Sequence, residues 1–171
     1  MHISCRCNYT LSLNVIFCVL TMSSCTPTNK SNQYPAATFS HPEQPLPGSG
    51  RVNAQSYAER VAPLEIKAGA GGHYVVKLVD AYRKTPVMSV FVRGGSTVNV
   101  DVPLGTFEVR YASGEKWYGD EHLFGPDTSY SKADKTFTFE ETANEITGYT
   151  ITLYKVSQGN LRTSKINAGE F

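Results

Sequence analysis

The chain has 171 residues, of which 40% are hydrophobic and 18% charged, and its formal net charge is +1. This length suits one domain with tails, since domains cluster at roughly 100–150 residues. The neutral charge balance gives no reason to expect nucleic acid as a partner, because phosphate binding needs clustered Lys and Arg.

All four cysteines lie within the first 25 residues, at Cys5, Cys7, Cys18 and Cys25. The rest of the chain therefore has neither a disulfide framework nor a cysteine-type zinc site. We expect its domain to be stabilised by its hydrophobic core alone or by partners.

The N-terminus carries the pattern of a secretory signal. An apolar run over residues 11–20 follows Arg6, and the small residues Ser23 and Ser24 come directly before Cys25. The run spans about a dozen residues, which is too short for a bilayer-crossing helix of ~20. The alternatives are an ordinary secretory signal or a core strand, each with an incidental cysteine.

Residues 22–25 resemble the lipobox of bacterial lipoproteins, with Met22 where leucine is usual. The resemblance implies a signal peptide over residues 1–24, a diacylglycerol thioether on Cys25, cleavage before it and acylation of the new amino terminus. Several acyl chains give stable attachment to a membrane. The expected location is therefore the cell envelope, with the domain in the periplasm or at the surface. Thr26 implies outer-membrane sorting in a diderm bacterium.

Residues 25–62 are predicted to be the lipidated cysteine and a flexible linker. The stretches 26–33 and 41–50 are polar and rich in Pro, Ser and Gly, so they bury too little apolar surface to offset the entropy of ordering. Within the linker, residues 52–61 are predicted to form a short helix.

Residues 63–171 show the two-residue alternation of β-strands. Seven segments carry it: 64–66, 74–79, 87–92, 98–102, 107–111, 137–139 and 149–153. Seven short strands in about a hundred residues are typical of an all-β, antiparallel, immunoglobulin-like or transthyretin-like sandwich. A small β-barrel is the alternative, because it has the same alternation.

Residues 95–111 resemble the strand, Pro-x-Gly-Thr-aromatic, strand hairpin of carboxypeptidase regulatory-like and transthyretin-like accessory domains. Pro103 and Gly105 are predicted to turn the chain, and Phe107 to fill the edge of the core. Such domains mostly bind, space or stabilise, so the resemblance implies a fold and no activity. Residues 64–171 as a whole also resemble exported bacterial proteins, which adds no mechanism.

One loop concentrates the residue types that bind ligands. Its candidates are Trp117, Tyr118, Asp120, Glu121 and His122. Aromatic rings stack on sugars or pack on proteins, and loops between strands carry binding residues. The favoured alternative is that Trp117 and Phe124 cap the core while the two carboxylates are solvated.

Catalysis, metals and cofactors are not expected. Neighbouring side chains on an extended chain point to opposite faces, so the Asp120–His122 triplet is a poor metal set. The sequence therefore predicts a membrane-anchored lipoprotein with a non-enzymatic binding or structural domain, whose partner is an envelope protein or glycan. The alternatives are a carbohydrate- or peptidoglycan-binding module using Trp117 and Tyr118, and an envelope enzyme using Asp120, Glu121 and His122.

Overall fold

The computed structural model describes residues 39–154 and 162–171, and the predicted signal peptide and Cys25 lie outside them. Nine strands occur in this part of the chain. They are β1 Val52–Ala54, β2 Arg60–Ala68, β3 His73–Asp80, β4 Pro86–Val92, β5 Thr97–Pro103, β6 Gly105–Gly114, β7 Ser129–Phe139, β8 Tyr149–Leu153 and β9 Thr163–Lys165. Two short 3-10 turns cover Gly125–Asp127 and Ala168–Glu170. Neither they nor any other helical segment among the described residues is long and apolar enough to span a membrane.

The strands form a sandwich of two sheets. The larger sheet has the order β1-β4-β3-β6-β7-β9 and the smaller one the order β5-β2-β8. The all-β sandwich is confirmed, and the seven predicted strands correspond to β2 to β8. One pairing departs from the antiparallel prediction, since β2 and β8 run parallel. Two separate sheets agree with the sandwich rather than the barrel.

The main core lies between the sheets and follows from the alternation. On β3, Tyr74, Val76 and Leu78 are buried within it, while the residues between them lie on the outer face of the larger sheet. Phe107 is buried as predicted, with its ring centroid 6.1 Å from that of Phe139. A continuous apolar layer of this kind is the main stabilising feature of a domain without disulfides.

The predicted turn at Pro103 and Gly105 is present, but it does not make a hairpin. Strand β5 pairs with β2 in the smaller sheet, whereas β6 pairs with β3 and β7 in the larger one. Gly105 has φ = 142°, a value open to glycine and rare for other residues. The chain therefore uses this turn to pass from one sheet to the other.

The short helix predicted over residues 52–61 is wrong, because residues 52–54 and 60–61 are in strands and residues 55–59 form no helix. Val52–Ala54 pairs with β4, the Gln55 N–H donates to the Val87 carbonyl, and β2 begins at Arg60. Main-chain hydrogen bonds to the edge of β4 decide the conformation here, and helix periodicity does not report them.

Residues 39–51, placed in the predicted linker, also contact the sandwich. The Arg93 guanidinium donates to the main-chain oxygens of Leu46 and Pro47, each at 2.8 Å. The Gln44 N–H donates to the Trp117 carbonyl at 2.7 Å. The folded region therefore begins before the predicted boundary at residue 63. Its polar composition does not indicate these contacts, several of which use main-chain groups.

Candidate functional site

A second hydrophobic cluster covers the outer face of the larger sheet. Strands β3, β4 and β6 contribute outward-facing residues, and the loop of residues 115–128 folds back over them. The buried members are Val75, Phe91, Ala112, Trp117, Leu123 and Phe124, with Leu46, Tyr130 and Phe171 packed against them. Because both faces of this sheet are covered, the loop is part of the folded structure rather than a free appendage.

Trp117 is the centre of this outer cluster. Its side chain is 3% exposed and makes edge-to-face contacts with Phe91 and Phe124, at centroid distances of 5.1 and 5.5 Å. The Arg51 guanidinium lies over the indole at 5.8 Å. The indole faces are therefore occupied, and Trp117 is not available as a stacking platform in this conformation. This arrangement agrees with the alternative that Trp117 and Phe124 cap a core.

The tip of the loop is fixed by main-chain hydrogen bonds. The Tyr118 N–H donates to the Leu123 carbonyl, and the Leu123 N–H donates to the Gly119 carbonyl, both at 2.7 Å. Gly119 has φ = 95°, which a residue with a side chain rarely adopts. The three polar residues 120–122 therefore lie on a closed turn, anchored on either side by buried aromatic residues.

Tyr118 and His122 both contact Phe39. The His122 imidazole stacks on His41 at a centroid distance of 3.8 Å, and Phe39 contacts Tyr118 edge-on at 5.0 Å. Phe39 also lies 5.8 Å from the His122 ring. These contacts hold residues 39–41 against the loop, so both predicted site residues are engaged by the fold.

Asp120 and Glu121 lie at the rim of a cavity instead. Asp120 forms an ion pair with Arg51. The cavity is about 340 Å³ in volume, and the outer face of the larger sheet is its floor. Its lining residues are Asn53, Gln55, Val75, Lys77, Ser89, Asp120, Glu121, Leu123, Tyr130, Ala168 and Phe171. We call it the Lys77 cavity.

Lys77 is the charged group on the floor of this cavity. Its ammonium is partly buried, donates to the main-chain oxygen of Phe171 at 2.8 Å, and lies 3.9 Å from the centre of that ring. Burial lowers the pKa of Lys77, and the positive charge of Arg110 lowers it further. A partly desolvated ammonium interacts strongly with any acceptor that reaches it.

The structure thus divides the five predicted residues. It brings Asp120 and Glu121 together, places Tyr118 and His122 in a separate aromatic group, and buries Trp117. In the described ranges, no three His, Cys, Asp or Glu side chains cluster in a way that would hold a metal ion.

Sequence reasoning did not find Lys77. The available signal was a single lysine in the apolar strand Tyr-Val-Val-Lys-Leu-Val over residues 74–79. A charged residue inside such a strand indicates a place on the outer face of the sheet where the charge has a polar partner.

Comparison of the chain with protein-family models, with curated proteins and with solved structures finds no match.

Proposed function

We propose that this chain is a lipid-anchored protein of the cell envelope whose sandwich binds a ligand, without converting it, in the Lys77 cavity. The observation that carries the proposal is the cavity itself. It combines a partly buried ammonium on the floor, two carboxylates on the rim and aromatic rings on the wall. Concave sites with a few convergent polar groups are where proteins usually bind ligands.

The contacts that already hold Asp120 and His122 favour binding over catalysis. The Asp120 carboxylate is held by Arg51, and the neighbouring His122 imidazole is stacked on His41. A general acid or base must be within hydrogen-bond reach of a reacting group, and groups already held by the fold suit recognition better. We accordingly assign Asp120 and Glu121 the role of rim contacts.

The proposed lipid anchor and membrane location are tested by mass spectrometry of the mature protein together with membrane fractionation. We expect a new amino terminus at Cys25, a mass increase from the diacylglyceryl thioether and the acyl group, and recovery with the membrane. A Cys25→Ser variant serves as the control and should lose the modification. Unmodified Cys25 in protein released to the medium or cytosol would contradict the proposed anchor.

The binding site is tested by placing a photo-crosslinking amino acid at position 121 in cells. The matched control carries the same group at Asn99, which is exposed on β5 of the smaller sheet. We expect a discrete cross-linked species from position 121 that is absent from position 99. The same products from both positions would show that the cavity has no specific occupant.

A glycan ligand is a second candidate for the same cavity. The amides of Asn53 and Gln55 lie in its wall beside the Glu121 carboxylate, and such groups bind sugar hydroxyls well. Soluble peptidoglycan fragments titrated into the protein test this version. Binding that weakens for Asn53→Ala and persists for Asn99→Ala supports it, whereas binding unaffected by both changes excludes it.

A further inference from the structure

Three cations lie directly opposite one another on neighbouring strands of the larger sheet. The register pairs Lys77 on β3 with Arg110 on β6, and Arg110 with Lys132 on β7. Their strand neighbours Val75 and Tyr130 belong to the outer cluster, so the alternation places all three on the outer face. Paired strands are about 4.8 Å apart. Like charges in directly opposite positions destabilise a sheet, so this row has a cost for folding.

The Asp and Glu side chains of the protein neutralise only the middle of this cationic row. Arg110 donates to Glu108 at 2.6 Å, and Glu108 also pairs with Lys84. Across residues 39–154 and 162–171, no Asp or Glu side chain forms an ion pair with Lys77 or Lys132. Both lysines are partly buried, and a charge that has lost part of its water favours an opposite charge nearby, so the row has capacity for an external anion.

A short strap, residues 166–171, contacts two of the three cations, Lys77 and Arg110. The Ile166 N–H donates to the Tyr130 carbonyl at 3.2 Å. Arg110 donates to the main-chain oxygen of Glu170, and Lys77 donates to that of Phe171. Except for Ile166 and Phe171, the residues of the strap are exposed. Few contacts therefore hold it, and segments of this kind open at low free-energy cost.

We propose that the row of Lys77, Arg110 and Lys132 binds the carboxylates of an acidic peptide, and that the strap is an intramolecular competitor which this peptide displaces. The inference rests on the proposed function, because Lys77, at one end of the row, is the charged group of the same cavity.

A peptide is favoured over other anions because the strap is itself polypeptide. It already places main-chain oxygens on two of the cations and an aromatic ring against Lys77 and Tyr130. A side-chain carboxylate on a ligand brings a full negative charge to the same donors, and charge-assisted bonds of this kind are among the strongest hydrogen bonds in proteins. A ligand with both features would replace the contacts of the strap.

The probe is the acetylated and amidated peptide Gly-Glu-Phe-Glu-Gly, and its uncharged counterpart has glutamine at both acidic positions. Each is titrated calorimetrically into the mature full-length chain. We expect the acidic peptide to bind more tightly, and Lys77→Gln to weaken it by about three- to tenfold. One lost hydrogen bond to a charged group costs about tenfold or more, and part of this is offset because the strap loses its own contacts with Lys77. Lys67→Gln is the matched control, because Lys67 lies on the smaller sheet and does not line the cavity. Its exposed ion pair with Glu65 contributes little, so the affinity should change less than about twofold.

A variant of the strap separates competition from simple binding. Phe171→Ala removes the ring packed on Lys77 and Tyr130, and it leaves both sheets intact. We expect it to strengthen binding of the acidic peptide by about three- to tenfold, because the cation–π contact and ring burial no longer favour the closed strap. A melting curve for each variant confirms that the fold is retained.

Three results overturn the inference. They are equal affinity for the two peptides, equal effects of Lys77→Gln and Lys67→Gln, and binding of oligoglucuronate in place of the acidic peptide. If position 121 gives its cross-linked species while Lys77→Gln leaves the affinity for the acidic peptide unchanged, the cavity has a ligand and only the inference about its charge fails. If position 121 gives no cross-linked species even with Lys77 unchanged, the proposed function itself fails.

Discussion

Trp117→Ala distinguishes a core residue from a ligand contact. Trp117 is 3% exposed, so nearly all the surface that its side chain buries becomes cavity or solvent-accessible after truncation. A tryptophan buries about 150–250 Å², worth about 4–6 kcal/mol at ~25 cal/mol per Å². Part of this is retained by alanine and by collapse of the site, so we expect a loss of about 3–5 kcal/mol.

The assay is equilibrium unfolding in urea followed by far-ultraviolet circular dichroism, because the substitution removes the only tryptophan. With a slope near 2 kcal/mol per molar urea, typical of small proteins, the midpoint should fall by about 1.5–2.5 M. Trp117→Phe keeps an aromatic ring between Phe91 and Phe124 and should lose only about 1–2 kcal/mol.

The reasoning is refuted if Trp117→Ala leaves the urea midpoint unchanged. It is also refuted if that variant loses ligand binding while its stability and the position of the loop are intact. Either result would mean that the indole faces a ligand rather than the outer cluster.

Three further changes test particular contacts. In Gly94→Ala the new methyl group overlaps the main-chain oxygen of Gly72, so we expect a loss of about 1–3 kcal/mol in thermal unfolding, against little change for Gly48→Ala, which has open space. Burial raises the pKa of Glu108, but hydrogen bonds from Lys84 and Arg110 outweigh this and hold it below 4.5. The ionised carboxylate therefore stabilises the fold above pH 4.5, and this contribution is lost as the pH falls below that value. In Glu108→Gln, the melting temperature should depend less on pH in that range. Burial lowers the pKa of His73 below 6.5, and its Nδ1 accepts the Gly94 N–H at 3.1 Å. The melting temperature should therefore begin to fall as the pH drops below 6.5, and His73→Gln should remove this early decrease.

The sequence predicted the sandwich well because its strands obey a simple rule. Each of β2 to β8 contains a stretch that alternates apolar and polar residues or is mostly apolar, and burial between two sheets imposes that pattern. Strands β1 and β9 were not predicted, because they have three residues each and are mostly exposed. Their place is set by main-chain pairing with β4 and β7, which leaves no mark on composition.

The site was predictable only in part. Asp120 and Glu121 were identifiable because a loop dense in aromatic and charged residues is unusual. Their separation from His122 depends on the closed turn at Gly119, and the cationic row depends on the registers of β3, β6 and β7. Register is a property of paired strands, and the β6–β7 pair carries an irregularity between Glu108 and Arg110 that no single-strand pattern reveals.

The larger sheet explains why a lysine in β3 is informative. A strand covered on both faces favours an uninterrupted apolar sequence, and β3 follows this rule except at Lys77. An apolar residue at this position would pack against the outer cluster without desolvating a charge or facing Arg110. The fold thus accepts a partly buried cation opposite Arg110, and only a main-chain oxygen and the ring of Phe171 compensate it.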